Sequence, residues 1–321
     1  MTEPMAVAEA FDARVKRREE RRDFFKMLGG AAAIGGAAVM AGRADVAVAQ
    51  SAPTDADVLN FALNLEYLEA QFYYFAAFGS GLPTSILSGT GVQGAVTGGR
   101  QVTFSDPLVG QYAREIAADE RAHVEFLRTA LGTAAVAQPA IDISAAPSGA
   151  FSSAARAAGL VGAGASFDPY ASDEAFLLGA FIFEDVGVTA YKGASPLLTN
   201  KTFLEAAAGI LAVEAYHAAI VRTTLYAKGI ETPSARLIEA TDAISAARDS
   251  LDGTSDLDQG LTPVPASTTL TNIVPLDANG IAYSRSAGQV LNIVYLNRLQ
   301  VTGGGFFPNG VNGTIRASAA N

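Results

Sequence analysis

Two segments of this chain repeat one short pattern, and that repeat constrains the fold more than any other feature of the sequence. The chain has only two histidines, His123 and His217, and each follows a glutamate by three residues, Glu120 and Glu214. Five residues after each histidine comes the same Arg-Thr-x-Leu sequence. Residues three apart lie on one face of a helix, so each pair presents a carboxylate and an imidazole together. The pattern predicts two related helices.

A second repeat accompanies the first. Glu66 is followed seven residues later by Tyr73, and Glu184 is followed seven residues later by Tyr191. The chain therefore runs through a Glu helix, an E-x-x-H helix and a long connection, and then through the same two helices again. Two such pairs related by a pseudo-twofold axis would bring four helices into one core. The sequence predicts an all-α protein built on a four-helix bundle.

The residues around these glutamates and histidines are Ala, Val, Leu, Ile and Phe, which indicates that the faces carrying them turn inward. Four buried carboxylates repel one another and lose hydration, at a cost of several kcal/mol per unpaired ion. Two divalent cations would balance them, with two neutral imidazoles completing the donor set. Oxygen and imidazole donors favour Fe or Mn. The candidate metal ligands are Glu66, Glu120, His123, Glu184, Glu214 and His217.

Six helices are predicted from apolar periodicity and from residues typical of helix ends. They span about 55–78, 106–131, 173–192, 202–228, 234–251 and 287–299. The expected capping residues are Thr54, Ser105, Ser172 and a Thr202–Glu205 capping box. Glycines are expected to end the first four helices, namely Gly79, Gly132, Gly193 and Gly229.

The remaining segments are predicted to be irregular. Residues 79–104 and 132–171 are rich in Gly, Ser, Thr and Ala, and the second of these is long for a loop in a compact domain. After Gly253 the chain is expected to be an extended wrap docked by its aromatic residues. The predicted organisation is a leader over 1–49, a bundle with its following helix over 50–252, and a C-terminal extension over 253–321 that packs on the bundle.

The leader has the features of an export signal. Arg21 and Arg22 precede Phe24, Phe25 and Lys26, and an uncharged Gly/Ala-rich run of 16 residues follows. An Ala-Val-Ala sequence then ends at residue 49. The string resembles a twin-arginine signal, which implies the twin-arginine export machinery as a partner of the precursor. The expected location is periplasmic or secreted.

Composition excludes several other classes of protein. Half of the residues are apolar, so the chain has ample surface to bury on folding. The net charge is −10, which disfavours nucleic acid as a partner. Zero cysteines exclude disulfide scaffolds, thiolate zinc sites and cysteine nucleophiles.

These helices resemble the ferritin-like di-iron or di-manganese carboxylate proteins, among them ferritin, rubrerythrin and manganese catalase. The Leu63-Asn-Leu-Glu66-Tyr-Leu-Glu69 sequence, the leader, and the Gly304-Gly-Phe-Phe-Pro308 tail resemble more closely an exported bacterial ferritin-like group related to plant desiccation-related proteins. The resemblance covers nearly the whole chain after the leader. It implies a ferritin-like bundle with a long connection between its second and third helices, and extra helices and a tail at the C-terminus.

The resemblance also implies roles for individual residues. Glu120 and Glu214 would bridge or chelate two metal ions, the histidines would each bind one ion, and Glu66 and Glu184 would complete the set. Glu69 shares a helix face with Glu66 and is the alternative first-helix ligand, or else a solvated or supporting acid. Glu66 is preferred because only that choice aligns Tyr73 with Tyr191.

Three other side chains are candidates for supporting roles beside the ligands. Asp119 is expected to accept a hydrogen bond from His217, unless it is a surface acid. Tyr73 and Tyr191 are either hydrogen-bond donors or electron relays beside the ligands, or ordinary core residues.

The implied function is reaction of a dinuclear Fe or Mn centre with O2 or peroxide, in protection from oxidative or desiccation stress. Three alternatives stay open: peroxide disproportionation as in manganese catalase, storage in a ferritin-type cage, and a non-enzymatic envelope protein whose ligands only stabilise the bundle. The long connection and the tail disfavour the cage. The resemblance also allows a homo-oligomer.

Overall fold

The computed structural model describes residues 52–263, 266–267 and 269–321. The predicted leader lies outside these residues. Within them the chain forms seven α-helices, which we number in chain order. The bounds are Asp55–Phe78 (α1), Pro107–Leu131 (α2), Ala150–Ala157 (α3), Asp173–Ala194 (α4), Lys201–Glu231 (α5), Leu237–Asp252 (α6) and Ala287–Val294 (α7).

Helices α1, α2, α4 and α5 form the predicted four-helix bundle. Helix α1 packs mainly on α2, and α4 packs mainly on α5, so the bundle is built from the two repeated pairs. The pairs meet where α1 contacts α4 and where α2 contacts α5. Helix α6 lies against α4 and α5, and α7 lies against α4 and α6. The all-α ferritin-like prediction is confirmed.

Several predicted helix ends are confirmed. Thr54 caps α1 through a reciprocal capping box with Asp57, and Gly79 ends that helix at φ 74°. Ser172 caps α4 by accepting a hydrogen bond from the amide of Ala175. These residues satisfy backbone groups that a helix end leaves without intrahelical partners.

The caps of α2 and α5 were predicted wrongly. The carboxylate of Asp106, not Ser105, accepts from the amide of Leu108 at 2.9 Å, because the Ser105 hydroxyl donates to Asp173 instead. The side chain of Asn200, not Thr202, begins α5 by accepting from the Thr202 amide at 2.9 Å. At the start of both helices, a residue next to or near the predicted one provides the side-chain cap.

Two glycines expected to end helices lie inside them. Helix α4 runs through Gly193, where the backbone of Arg285 crosses so closely that a Cβ would lie 1.9 Å from the Arg285 carbonyl oxygen. Helix α5 runs through Gly229, which packs on Ile238 of α6. These glycines serve close approach of neighbouring chain segments rather than termination.

The last two helices are shorter than predicted. Arg236 adopts a left-handed conformation at φ 53°, so α6 begins at Leu237 after a 3-10 turn over Pro233–Ala235. Leu296 is also left-handed at φ 53°, and α7 ends at Val294. A left-handed residue cannot continue a right-handed helix.

The segments predicted to be irregular contain regular structure. Residues Val96–Gly98 form β1, residues Ile141–Ile143 form β2, and the two strands pair in parallel with Val96 opposite Ile141. The connection between α2 and α4 also contains α3. These short elements were not predicted, because segments rich in Ala, Ser and Gly lack a clear periodic pattern of apolar and polar residues.

The C-terminal extension contacts the bundle through buried aromatic residues. Phe306 and Phe307 are fully buried, and the Phe306 ring lies 4.9 Å from the ring of Phe183 in α4 and 5.2 Å from that of Phe151 in α3. Helix α5, alone among the described helices, is apolar and long enough to cross a membrane. It instead carries Glu214 and His217 into the bundle core.

Candidate metal centre

The six candidate ligands meet inside the bundle, and all of them are at most 8% exposed. Helix α1 supplies one glutamate, α4 supplies one, and α2 and α5 each supply a glutamate and a histidine. The imidazole rings lie on facing helices with their centroids 6.3 Å apart. The repeated sequence therefore produces a paired arrangement of side chains, which are Glu66, Glu120, His123, Glu184, Glu214 and His217.

The Nδ1 atom of His123 faces three carboxylates. It lies 3.2 Å from Glu66 Oε2, 3.7 Å from Glu214 Oε1 and 3.8 Å from Glu120 Oε2. One donor atom from each of these four residues lies within 4.8 Å of all the others. This spacing is compatible with a single cation placed among them.

The second histidine repeats the arrangement. His217 Nδ1 lies 3.0 Å from Glu120 Oε1 and 3.8 Å from Glu184 Oε2. Glu120 therefore stands between the two histidines, with one carboxylate oxygen toward each. That is the position of a carboxylate able to bridge two ions.

The two predicted tyrosines link the halves crosswise. The Tyr73 hydroxyl of α1 donates to the Glu184 carboxylate of α4, and the Tyr191 hydroxyl of α4 donates to the Glu66 carboxylate of α1. Both tyrosines are buried, and they are not merely core packing. Each holds one carboxylate oxygen while leaving the other oxygen toward the histidines.

Asp119 breaks the symmetry of the site. Its carboxylate Oδ2 lies 3.1 Å from His217 Nε2, while the side chain stays 42% exposed. A carboxylate on the outer nitrogen orients an imidazole and raises its basicity as a ligand. The matching place in α5 is Val213, which cannot accept such a bond from His123.

Glu69 is a fifth buried carboxylate near these residues, and only 7% of it is exposed. The expectation that Glu69 is a solvated acid is therefore wrong. Gly187 of α4, three residues after Glu184, lies near Glu69 and makes room for Glu214. A Cβ at Gly187 would lie 2.2 Å from Glu214 Oε2 and 3.5 Å from Glu69 Oε1. Sequence reasoning missed this glycine because nothing in its neighbours marks a mid-helix glycine as a close contact.

The electrostatics of the metal-free site are those of crowded carboxylates. Burial raises the pKa of Glu66 to about 7 and that of Glu184 to about 8. Burial and the surrounding carboxylates raise the pKa values of Glu69 and Glu214 well above their usual range. Burial also opposes ionisation of Glu120, yet the two histidines hold the pKa of Glu120 below its usual value.

The histidines take up protons in response. Burial disfavours their charged forms, but Glu66 and Glu120 raise the pKa of His123 to about 11. Asp119, Glu120 and Glu184 raise the pKa of His217 to about 10 against the same effect. Protons on the histidines thus supply the positive charge that the carboxylates require.

The donor atoms fit a metal by a further criterion. Both oxygens of Glu120, both of Glu214, one of Glu184 and Nδ1 of His217 are buried without a hydrogen-bond partner among the described residues. His217 Nδ1 and Glu120 Oε1 are 3.0 Å apart but do not form a hydrogen bond. Buried polar atoms are normally paired, because leaving one unpaired costs about 1–3 kcal/mol. The Glu120 and Glu214 oxygens lie near His123, and the Glu120 and Glu184 oxygens lie near His217, so cations beside the two histidines would satisfy these atoms.

A buried ion network lies behind the site. Arg222, in the repeated Arg-Thr-x-Leu sequence, binds Asp185 at 2.8 Å and four backbone carbonyls of the C-terminal extension. Arg248 binds Asp185 at 3.2 Å and Asp258 at 2.9 Å. Because Asp185 follows Glu184, the network ties the helix that carries a candidate ligand to the extension.

A helical bundle that buries paired glutamates and E-x-x-H histidines defines the class of ferritin-like carboxylate proteins. The family described as Ferritin-like domain matches residues 54–227, which is more than half of the chain. The chain belongs to this ferritin-like family.

Two relatives extend the similarity beyond the bundle. The chain is 30% identical over 269 residues to the ferritin-like catalase Nec2 of Nesocodon mauritianus, covering 81% of this chain and 84% of that protein. It is 30% identical over 270 residues to the desiccation-related protein PCC13-62 of Craterostigma plantagineum, covering 81% of this chain and 83% of that protein. No solved structure matches significantly.

Proposed function

We propose that the buried cluster holds two Fe or Mn ions and that the protein reacts with O2 or peroxide. The supporting observation is the set of buried, unpartnered carboxylate and imidazole atoms that lies around the two histidines. Glu66, Glu214 and His123 would hold one ion, and Glu184 and His217 would hold the other. Glu120 would join the two, since it offers one oxygen toward each histidine.

When bound, such a pair of ions supplies electrons that can be exchanged with a small oxidant. The protein's part is to position the donors and exclude water. Tyr73 and Tyr191 restrain the outer carboxylates, so Glu184 and Glu66 keep their orientation when the charge of the centre changes. Asp119 orients His217 and, being partly exposed, offers a position where a proton can reach solvent.

Peroxide disproportionation is the second candidate function. It is favoured by the similarity to a protein named as a ferritin-like catalase. The two functions differ in their need for a reductant, because disproportionation draws both oxidising and reducing equivalents from peroxide. Protection from oxidative or desiccation stress is compatible with either function, and the relative named for desiccation supports it.

Metal content and reactivity of the purified chain test this proposal. We expect two ions per chain, and either rapid oxidation of the reduced protein by O2 or peroxide, or steady O2 release from peroxide without a reductant. Glu120→Gln should lower metal content, whereas the matched change Glu115→Gln, on the exposed face of the same helix, should not. Bound metal with no turnover would favour the envelope-protein alternative, and a mineral core in electron micrographs would favour storage.

We also propose that the precursor is exported through its twin-arginine sequence to the periplasm or the exterior. The support is Arg21-Arg22 followed by the uncharged run and the Ala-Val-Ala sequence. Replacing both arginines with lysine should retain the full-length precursor in the cytoplasm of a bacterial host. Unchanged export of that variant would contradict the proposal.

A further inference from the structure

A small enclosed cavity lies beside the candidate metal centre, between α1 and α4 and beneath the C-terminal extension. Its volume is about 10 Å³, which is room for one water-sized molecule. Leu65 and Leu68 of α1 and Val186 of α4 form its walls, and Ile293, Val294 and Phe306 of the extension form its roof. All of these side chains are buried.

The cavity borders the edge of the site at one buried carboxylate, Glu69. Glu69 and Gly187 form part of its lining. Gly187 lies directly against the candidate ligand Glu214, since a Cβ at Gly187 would lie 2.2 Å from Glu214 Oε2 and 3.5 Å from Glu69 Oε1. A molecule in the cavity would therefore sit next to the cluster proposed to bind metal.

The lining determines what the cavity can hold. Glu69 is the only residue with a polar side chain among those that line it. A buried water needs two to four polar partners, and peroxide needs partners for two hydroxyl groups, so neither is well accommodated. Dioxygen is small and uncharged and requires no hydrogen bond.

Hydrogen bonds and aromatic packing hold Phe306 of the roof in position. The Phe306 amide donates to the Val294 carbonyl at 2.9 Å, and the Phe306 carbonyl accepts from the Asp142 amide of β2 at 2.9 Å. Phe306 also packs on Phe183 in an edge-on geometry. The extension after α6 thus completes a wall that the four bundle helices alone leave open.

We propose that this cavity is a dioxygen site adjoining the dinuclear centre, and that the C-terminal extension exists in part to enclose it. The inference rests on the proposed function. Dioxygen would occupy the cavity either as a reactant on its way to the centre or as the product of peroxide disproportionation. Both uses require the same apolar chamber.

Paramagnetic relaxation by dissolved O2 tests occupancy without any metal. In metal-free protein with labelled methyl groups, methyls of Leu65, Leu68 and Ile293 should relax several-fold more under O2 than equally buried methyls of Ile116 and Leu225. Val294→Ile adds one methyl group to the roof and should abolish the excess. Val290→Ile makes the same change in the same helix but outside the lining, and should leave it intact.

Equal relaxation of lining and reference methyls would overturn the proposal, as would an unaltered excess in Val294→Ile. Because both substitutions are conservative, matched unfolding curves will show that the variants are folded. This arm does not depend on the proposed function, since no metal or turnover is involved.

Reactivity of the metal-loaded protein then distinguishes the two uses. If dioxygen is a reactant, Val294→Ile should slow oxidation of the reduced protein by O2 and leave the reaction with peroxide unchanged. If it is a product, the same variant should slow O2 release from peroxide. Rates equal to those of Val290→Ile in both assays would overturn the assigned role, whereas a chain that binds no metal would refute only the proposed function.

Discussion

Gly187→Ala adds only one methyl group, yet it should strongly disturb the candidate metal centre. Gly187 lies in the middle of α4, where replacing glycine with alanine ordinarily stabilises a helix by about 1 kcal/mol. Here the added Cβ would lie 2.2 Å from Glu214 Oε2. Ordinary carbon–oxygen contacts are about 3.3 Å or longer, so the carboxylate or the helix must move by roughly 1 Å.

The cost of that movement can be bounded. Overpacking a well-filled core costs about 1–3 kcal/mol, which exceeds the gain in helix propensity. We therefore expect the free energy of unfolding of metal-free Gly187→Ala to fall by about 0–2 kcal/mol. Displacing Glu214 from the cluster should also weaken metal binding by about tenfold or more, by analogy with the loss of groups that orient ligands.

Gly209→Ala is the matched control. Gly209 lies inside α5, and nothing stands within 4 Å of a Cβ placed there. This variant should be more stable by up to about 1 kcal/mol and should bind metal normally. Urea unfolding and metal titration of both variants make the comparison. If Gly187→Ala were stabilised like Gly209→Ala and bound metal as tightly as the parent chain, the close-contact reasoning would be refuted.

Three further predictions concern charge and support around the centre. Metal-free protein should lose stability as the pH rises from about 5 to 8. Glu66 and Glu184 have pKa values of about 7 and about 8 in the folded state, against ordinary values of 4.5. The folded state therefore holds protons that the unfolded state releases, and raising the pH favours unfolding. Each such proton contributes at most about 1.4 kcal/mol per pH unit, and a melting temperature constant or rising over this range would contradict the prediction. Asp119→Ala should weaken metal binding about 10–100-fold at one of two sites. Calorimetric titration would report this as a newly biphasic curve. A single unchanged transition would show that the Asp119 partner of His217 does not make the two sites different. Arg285→Met should lower the free energy of unfolding by about 3–5 kcal/mol. The change leaves buried Asp252 and Asp258 without the guanidinium that each contacts at 2.6 Å. A loss below 1 kcal/mol in urea unfolding would show that the network is dispensable.

The bundle and the inward position of its Glu and His pairs were predictable because they depend on short-range spacing. Glu and His three residues apart share a helix face whatever the tertiary context, and two copies of that pattern identify two equivalent helices. The spacing of Glu66 to Tyr73 marked Tyr73 as a candidate for a role beside the ligands, but left an ordinary core position open. It could not predict that the hydroxyl would cross to Glu184 of the other pair.

The features that sequence reasoning missed depend on contacts between distant segments. Gly193 reads as a helix terminator, and only the crossing backbone of Arg285 explains its place within α4. Glu69 has the same local spacing whether solvated or buried, and its environment is decided by α4 and the C-terminal extension. Four of the partners of Arg222 are backbone carbonyls of that extension, which no side-chain pattern encodes.

The central claim is that four helices converge on a pair of metal ions. The most direct test is an anomalous-scattering map of crystals of the metal-loaded chain, recorded on both sides of the absorption edge of the bound element. We expect two peaks about 3.5–4 Å apart, each next to one of His123 and His217, with Glu120 contacting both. No peak at the cluster, or peaks only on surface acids, would contradict the account.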